Sequence, residues 1–317
     1  MTTFLTPQQR ADRTAAAVEA AVATGRGLGL PVAEPTVLHD LFSVVVHLAP
    51  LPVVVRIPTV LPRPDDMAAI ARRQQDELDV TRWLADRGIP VIAPSPLVPR
   101  EPVQRDGFSM TFWPFVEEAR DKEPDYVANA ESTADLHAAL RAYPGRRLEF
   151  LSAADPGFIA DSLAGLGQHP DLIGAAELDR ARREWQILEP LVRSRSAFEN
   201  RFPGVDLQPI HGDCPPANIF RAVDGDLYAD FELVTLGPVE WDLAALGPEH
   251  EAAYNRGARR NGTRPLDEEV LAFVNALGAL RFIATLALVP QLPELMGYLK
   301  PAVDRWQATP FAADMSS

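Results

Sequence analysis

Two aspartates and one asparagine carry the chemistry that this chain could do. Asp213, Asn218 and Asp230 are an acid, a neutral amide and a second acid, spaced five and twelve residues apart. The first two lie in Ile210-His211-Gly212-Asp213-Cys214-Pro215-Pro216-Ala217-Asn218-Ile219-Phe220, the third in Tyr228-Ala229-Asp230-Phe231-Glu232. Between them, Val223-Asp224-Gly225-Asp226 carries an Asp-Gly turn signal, flanked by strand-like runs at 219–221 and 227–230. A hairpin there would bring Asp230 back beside Asn218. Two metal-capable oxygen side chains would then meet next to a second carboxylate. Mg²⁺ takes hard oxygen ligands, usually one or two from protein with phosphate oxygens completing the shell. Asn218 and Asp230 could supply those, and Asp213 could orient an attacking hydroxyl or accept its proton. The set suits phosphoryl transfer.

The run His211-Gly212-Asp213, with Asn218 five residues after the Asp and Asp230-Phe231-Glu232 beyond it, resembles the catalytic and metal loops of the aminoglycoside phosphotransferase family. That family shares the protein-kinase-like fold. The likeness continues in Gly237-Pro238-Val239-Glu240-Trp241-Asp242-Leu243-Ala244. The resemblance implies a two-lobed α+β fold: a nucleotide-binding lobe over residues 1–114, with a small antiparallel sheet and an N-terminal helix, and a mainly helical lobe over 115–317 holding the catalytic loop, metal loop and acceptor site. It implies that Asp213 is the catalytic base, that Asn218 and Asp230 bind Mg²⁺, and that ATP or GTP is the phosphoryl donor. The acceptor would be a hydroxyl of an aminoglycoside or other antibiotic, a sugar or an amino alcohol, and antibiotic resistance is a role found in the family. A kinase-like protein that binds nucleotide or metabolite without transferring phosphate is the rival reading. A protein kinase is disfavoured, because no His-Arg-Asp loop, Asp-Phe-Gly or Ala-Pro-Glu segment is present.

The elements that would position these residues are legible in patches. Residues 6–25 read as a helix with Thr6 as N-cap, Pro7 at the first position, Gln9 completing a capping box, a stripe of Ala11, Ala15, Val18 and Val22, and Gly25 as the stop. Ser43 to Leu48 and Val53 to Ile57 read as strands. By the resemblance, the turn His39-Asp40-Leu41-Phe42-Ser43 covers the nucleotide phosphates and Ser43 contacts them, although the turn holds no glycine. Arg56 would take the place of the strand lysine that pairs phosphates in kinase-like folds. A guanidinium can do so, forking onto phosphate oxygens and staying charged when buried. Residues 65–87 read as a helix started by Asp65 or Asp66 and stopped by Gly88, with Met67, Ile70, Gln74, Leu78, Thr81 and Leu84 on one face. Glu77 falls on or beside that face, where a carboxylate calls for a cation, and Arg56 is the candidate.

Phe108 to Trp113 alternates as a strand and breaks at Trp113-Pro114-Phe115-Val116-Glu117. This break resembles the hinge at which backbone groups bind the purine edge. Pro114 has no N–H, so Phe115 or Val116 would donate. Helices follow at 128–140, where His137 reads as structural, at 175–188 with Pro190 as a stop, at 266–289 with Leu271, Val274, Leu277 and Phe282 apolar, and at 293–307. His211 is expected to hold the loop and Asp242 to brace it. Cys214 has no histidine placed to activate it and is not expected to be a nucleophile.

Composition narrows the partners. A net charge of −14 over 317 residues argues against nonspecific nucleic-acid binding and anionic membrane surfaces, and leans towards a cationic acceptor. No unbroken run of about 18 apolar residues occurs, so no transmembrane helix is expected. Met1-Thr2-Thr3-Phe4-Leu5-Thr6 has no basic segment and no apolar core, so no signal peptide is expected. The single cysteine cannot form an internal disulfide, which suits a reducing cytoplasm. The expected partners are a nucleotide and a small-molecule acceptor, for a monomer or homodimer.

Overall fold

The computed structural model describes residues 5–61 and 67–311. The chain divides into two units: Leu5–Pro124 with Ile219–Glu232, and Asp125–Asn218 with the chain from Leu233 onwards.

In the first unit, α1 (Pro7–Gly27) begins as the sequence predicts. Thr6 Oγ1 accepts from the Gln9 N–H at 3.2 Å and Gln9 Oε1 accepts from the Thr6 N–H at 2.9 Å, a complete capping box. Its end differs, because Gly25 is a packing residue and not the stop. A Cβ there would stand 2.9 Å from Leu48 Cδ1, so the helix runs past it to Gly27. The buried stripe is also rotated. It consists of Ala17, Ala20, Ala21 and Thr24, while Ala11 and Ala15 are exposed.

Five strands, β1 (Glu34–Asp40), β2 (Ser43–Ala49), β3 (Val53–Pro58), β4 (Val103–Arg105) and β5 (Phe108–Pro114), form an antiparallel sheet in the order β1-β2-β3-β5-β4. The two-residue period of β2 is visible in burial: Val44, Val46 and Leu48 are buried and alternate with half-buried Val45 and His47. The buried set packs with the α1 alanines, Val55, Ile57, Met110 and Phe112. α2 (Met67–Ala85) buries Ile70, Gln74, Glu77, Leu78, Thr81 and Leu84. Leu78 packs on Val54 and Trp113 of the sheet. The expected helix start at Asp65 or Asp66 lies outside the described residues.

The hairpin of this unit pairs Ile219–Ala222 with Gly225–Tyr228, Ile219 opposite Tyr228 and Ala222 opposite Gly225. Its turn is Val223-Asp224, because Gly225 already belongs to the return strand. Bridges from Val91 to Tyr228 and from Glu118 to Ala222 tie it to the rest of the unit.

The second unit is mainly helical: α3 (Tyr126–Leu140), α4 (Pro156–Gly165), α5 (Ala175–Arg193), α6 (Arg195–Arg201), α7 (Pro248–Arg260), α8 (Glu268–Thr285) and α9 (Leu295–Ala308). A strand pair, Gln208–Ile210 with Thr235–Gly237, flanks the motif residues. α5 corrects one expectation, since it continues through Pro190 to Arg193. Leu188 and Val192 are buried on either side of the proline, and burying two such side chains offsets the roughly 3 kcal/mol that an interior proline costs. The stretch Glu268–Leu288 is long and apolar enough to cross a membrane by length and hydropathy alone, which the search for unbroken apolar runs missed. Half of it is buried inside the protein, with Val270, Phe273, Val274, Leu277, Leu280 and Ile283 in the core. Of the apolar residues named from the sequence, Phe282 is 40% exposed, and the neighbouring Ile283 is the buried one. Phe150, Phe198, Phe202 and Phe273 pack with ring centroids 4.9–5.8 Å apart and join α6 to α8. The fold class is α+β, a five-stranded antiparallel sheet followed by a mainly helical region.

Candidate active site

Arg56 is the organising side chain of the first unit. It stands in β3 opposite Val45 and Thr111, and its guanidinium bridges two acids from different elements: NH2 donates to Glu77 of α2 and NH1 to Asp230, which follows the hairpin. Glu232 lies 3.5 Å from the same NH1. Three carboxyl groups thus surround one cation. Burial works against the Arg56 charge, yet Glu77, Glu232 and Asp230 together hold its pKa well above the usual range. Burial pushes the Glu77 carboxyl up to about 8 against the pull of Arg56, and Asp230 and Glu232 add to the rise.

That shift has a testable sign. A carboxyl raised above its unfolded value near 4.5 binds more protons in the folded state, so stability falls as pH rises from about 4.5 towards about 8. Glu77→Gln should flatten this dependence. Unfolding midpoints at pH 5 and pH 8 check it, with the wild type expected to lose several degrees more than the variant. Equal losses would show that the Glu77 carboxyl is not raised.

A cavity of about 1190 Å³ opens beside this cluster, lined by residues of the same unit. Polar Arg56, Glu77, Thr81 and Asp230 line it together with Trp113, Phe115 and Val116 and apolar Val45, Val54 and Ile92. Arg56 Nε is buried and has no hydrogen-bond partner among the described residues. At the break after β5, the Phe115 N–H donates to Pro52 O at 3.0 Å. Of the two expected backbone donors this leaves Val116, whose N–H makes no hydrogen bond among the described residues. The Phe115 ring stacks on His47, centroids 4.2 Å apart. Ser43 opens β2 opposite Pro58 and does not line this cavity.

In the second unit, the motif loop is held by its backbone. Asp242 is fully buried, and its carboxylate accepts from the His211 N–H at 2.9 Å and the Gly212 N–H at 2.8 Å. Its Oδ2 also meets His137 Nε2 at 2.9 Å, and His137 Nδ1 meets the Tyr254 hydroxyl at 2.9 Å. Burial holds the Tyr254 hydroxyl well above the usual phenol range, so it keeps its proton to donate. Nδ1 accepting from Tyr254 and Nε2 donating to Asp242 satisfies every partner. The Trp241 indole N–H donates to Gly212 O at 2.8 Å. Gly212 has φ +89, and a Cβ there would stand 1.9 Å from Leu233 O, so no other residue fits. His211 and Asp242 therefore brace the loop, and His137 is structural.

Asp213 is presented by this frame, with its side chain 40% exposed. Its N–H donates to His211 Nδ1 at 3.3 Å. The Asn218 amide donates to the Asp213 carbonyl and reaches Asp213 Oδ2 at 3.5 Å, so Asn218 is oriented by the same residue. That leaves Asn218 Oδ1 without a hydrogen bond among the described residues. In the first unit, Asp230 Oδ2 likewise has no hydrogen bond among the described residues. Oxygen donors of this type suit a hard cation such as Mg²⁺. Cys214 adopts φ +47, and burial, followed by the Asp213 charge, pushes its thiol up to about 12, consistent with an inert side chain. Sequence reasoning missed Arg281, which stands 3.9 Å from Asp213 Oδ1. The signal was a lone charge in an apolar helix.

The sequence model of the phosphotransferase enzyme family (APH) matches residues 43–291. No curated protein matches. Among solved structures, the choline kinase LicA from Streptococcus pneumoniae is 16% identical, with a TM-score of 0.58 over 90% of this chain and 96% of that one. The aminoglycoside phosphotransferase APH(3'')-Id from Streptomyces rimosus ATCC10970 is 18% identical, with a TM-score of 0.54 over 82% and 96%. APH(2")-IIia, solved with GDP and kanamycin, is 12% identical, with a TM-score of 0.57 over 91% and 96%. At these identities the solved structures speak for the fold, and the family match, which spans the buried Arg56–Glu77 pair, the braced His211–Asn218 loop and Asp230, speaks for descent. The chain belongs to the phosphotransferase enzyme family.

Proposed function

We propose that the protein is a small-molecule kinase that moves the γ-phosphoryl group of ATP or GTP to a hydroxyl of a small acceptor. The observation that carries this is Arg56: a buried guanidinium, fastened by Glu77 and Asp230, on a residue that lines a large cavity. In this reading the cavity takes the nucleotide. Trp113 and the Phe115 ring flank the base, the Val116 N–H donates to its edge, Arg56 pairs with phosphate oxygens, and the turn ending at Ser43 covers them. Related structures support a nucleotide there: one relative was solved with ADP and streptomycin, another with GDP.

In the transfer step, the acceptor oxygen bonds to the γ-phosphorus as the bond to the β–γ bridging oxygen breaks. The nucleoside diphosphate leaves, and Asp213 takes the hydroxyl proton. Mg²⁺, when bound, supplies charge neutralisation at the phosphates, and Asn218 and Asp230 are the residues that would hold it. Asn218, oriented by Asp213, and Asp230, oriented by Arg56, each keep an oxygen for that purpose.

A binder without transfer remains the second reading, favoured by the glycine-free turn at Leu41-Phe42 and by Ser43 lying off the cavity wall. Thermal shifts with ATP and with GTP, each with and without Mg²⁺, test the nucleotide site. Ligand at about a hundred times its dissociation constant adds roughly 2.7 kcal/mol, a shift of several degrees. A Mg²⁺-dependent shift in the wild type that is lost in Asp230→Asn is expected. No shift with either nucleotide would sink the kinase reading.

A further inference from the structure

Arg281 is the sole charged residue between Val270 and Leu288. Val270, Phe273, Val274, Leu277, Leu280 and Ile283 of α8 face the core, while Arg281 and the exposed Phe282 lie on the other side of the helix, where Arg281 comes near Asp213. Its guanidinium is 29% exposed and stands 3.9 Å from Asp213 Oδ1, too far for a hydrogen bond. Its Cζ lies 6.0 Å from the Trp241 ring centroid. Among the described residues the guanidinium makes no hydrogen bond at all, so its whole fork of N–H donors stands unused beside Asp213.

We infer that the acceptor is an alcohol bearing an oxyanion, a carboxylate or a phosphate, close to the hydroxyl that is phosphorylated, and that Arg281 selects it. This rests on the kinase reading, which places the acceptor hydroxyl at Asp213. A guanidinium fork matches a planar or tetrahedral oxyanion bidentately. Without Arg281, an oxyanion beside Asp213 would be repelled by that carboxylate. With Arg281, a cationic acceptor meets like charge at close range. The net charge of −14 leans the other way, but charges beyond about 8 Å are largely screened at physiological salt. The group a few ångströms from the hydroxyl decides.

The test uses the full chain with Mg²⁺ and nucleoside diphosphate, so that no turnover occurs. Midpoints are measured with glycerate, glycerol 3-phosphate, glycerol and choline at matched ionic strength. At about ten times its dissociation constant an acceptor raises the midpoint by roughly 2–4 °C. Glycerate or glycerol 3-phosphate should do so in the wild type, and which of them does separates a carboxylate from a phosphate acceptor. Arg281→Met should abolish the rise. Arg281→Lys should keep part of it, and Arg281→Gln, which should also abolish it, serves in place of Arg281→Met if that variant's unliganded midpoint falls. The inference is overturned if glycerol or choline stabilises as much, if neither oxyanion stabilises, or if the rise survives Arg281→Met. A wild type that shows no nucleotide shift defeats the kinase reading itself. A normal nucleotide shift with silent oxyanions defeats only the assignment of Arg281.

Discussion

Asp213→Asn is expected to lower acceptor-dependent release of nucleoside diphosphate by about 10²–10⁴-fold, the range for removing a general base. The substitution keeps the volume and the capacity to accept a hydrogen bond, and removes only the capacity to hold the proton. The loop should survive it, because its supports are largely backbone groups: the Asp213 N–H on His211, the Asp213 carbonyl under the Asn218 amide, and the N–H groups of His211 and Gly212 on Asp242. The Mg²⁺-nucleotide thermal shift should therefore persist while turnover collapses. That split separates a lost base from a lost fold. Activity within a few-fold of wild type would remove Asp213 from the proposed step.

Asp242→Ala should cost roughly 3–5 kcal/mol of stability, as expected when one partner is taken from a buried, fully engaged polar cluster. The substitution would strand the N–H groups of His211 and Gly212 and the Nε2 of buried His137 together. Water cannot easily replace the carboxylate, since Asp242 is fully buried beneath Trp241 and the loop. For a chain of this size the midpoint should fall by on the order of 10 °C. Since the same N–H groups fix the turn that presents Asp213, turnover should fall even in the fraction that stays folded. Differential scanning calorimetry with circular dichroism checks the first part. A midpoint within a degree or two of wild type would mean that the loop is held by Trp241 and the Gly212 turn, and not by this carboxylate.

Some features were legible because their causes are local. The capping box at Thr6 and Gln9 needs only four residues, and the hairpin after Asn218 announces itself by a turn signal between two short strands. Burial of Glu77 followed from helical spacing, and once it was buried its charge demanded a cation, which the structure supplies as Arg56. Other features failed for equally physical reasons. Pro190 is a helix stop by local rule, but packing of Leu188 and Val192 overrides it. Gly25 looks like a terminator until Leu48, from another element, claims the space of its missing Cβ. Nothing local in the sequence shows that the Phe115 N–H is taken by Pro52, 63 residues earlier in the chain.

By itself, then, the sequence determined the set of groups around residues 210–244 that could serve phosphoryl transfer, because these are written in short spacings, and the same residues carried the resemblance that implied the α+β class. Only the tertiary structure decided which charges meet. Arg56 is tied to an acid 174 residues away, His137 to one 105 away, and Arg281 stands over Asp213, 68 residues before it. Side-chain electrostatics act over a few ångströms through space, and no spacing along the chain encodes which distant elements the packing of the core will bring within that reach.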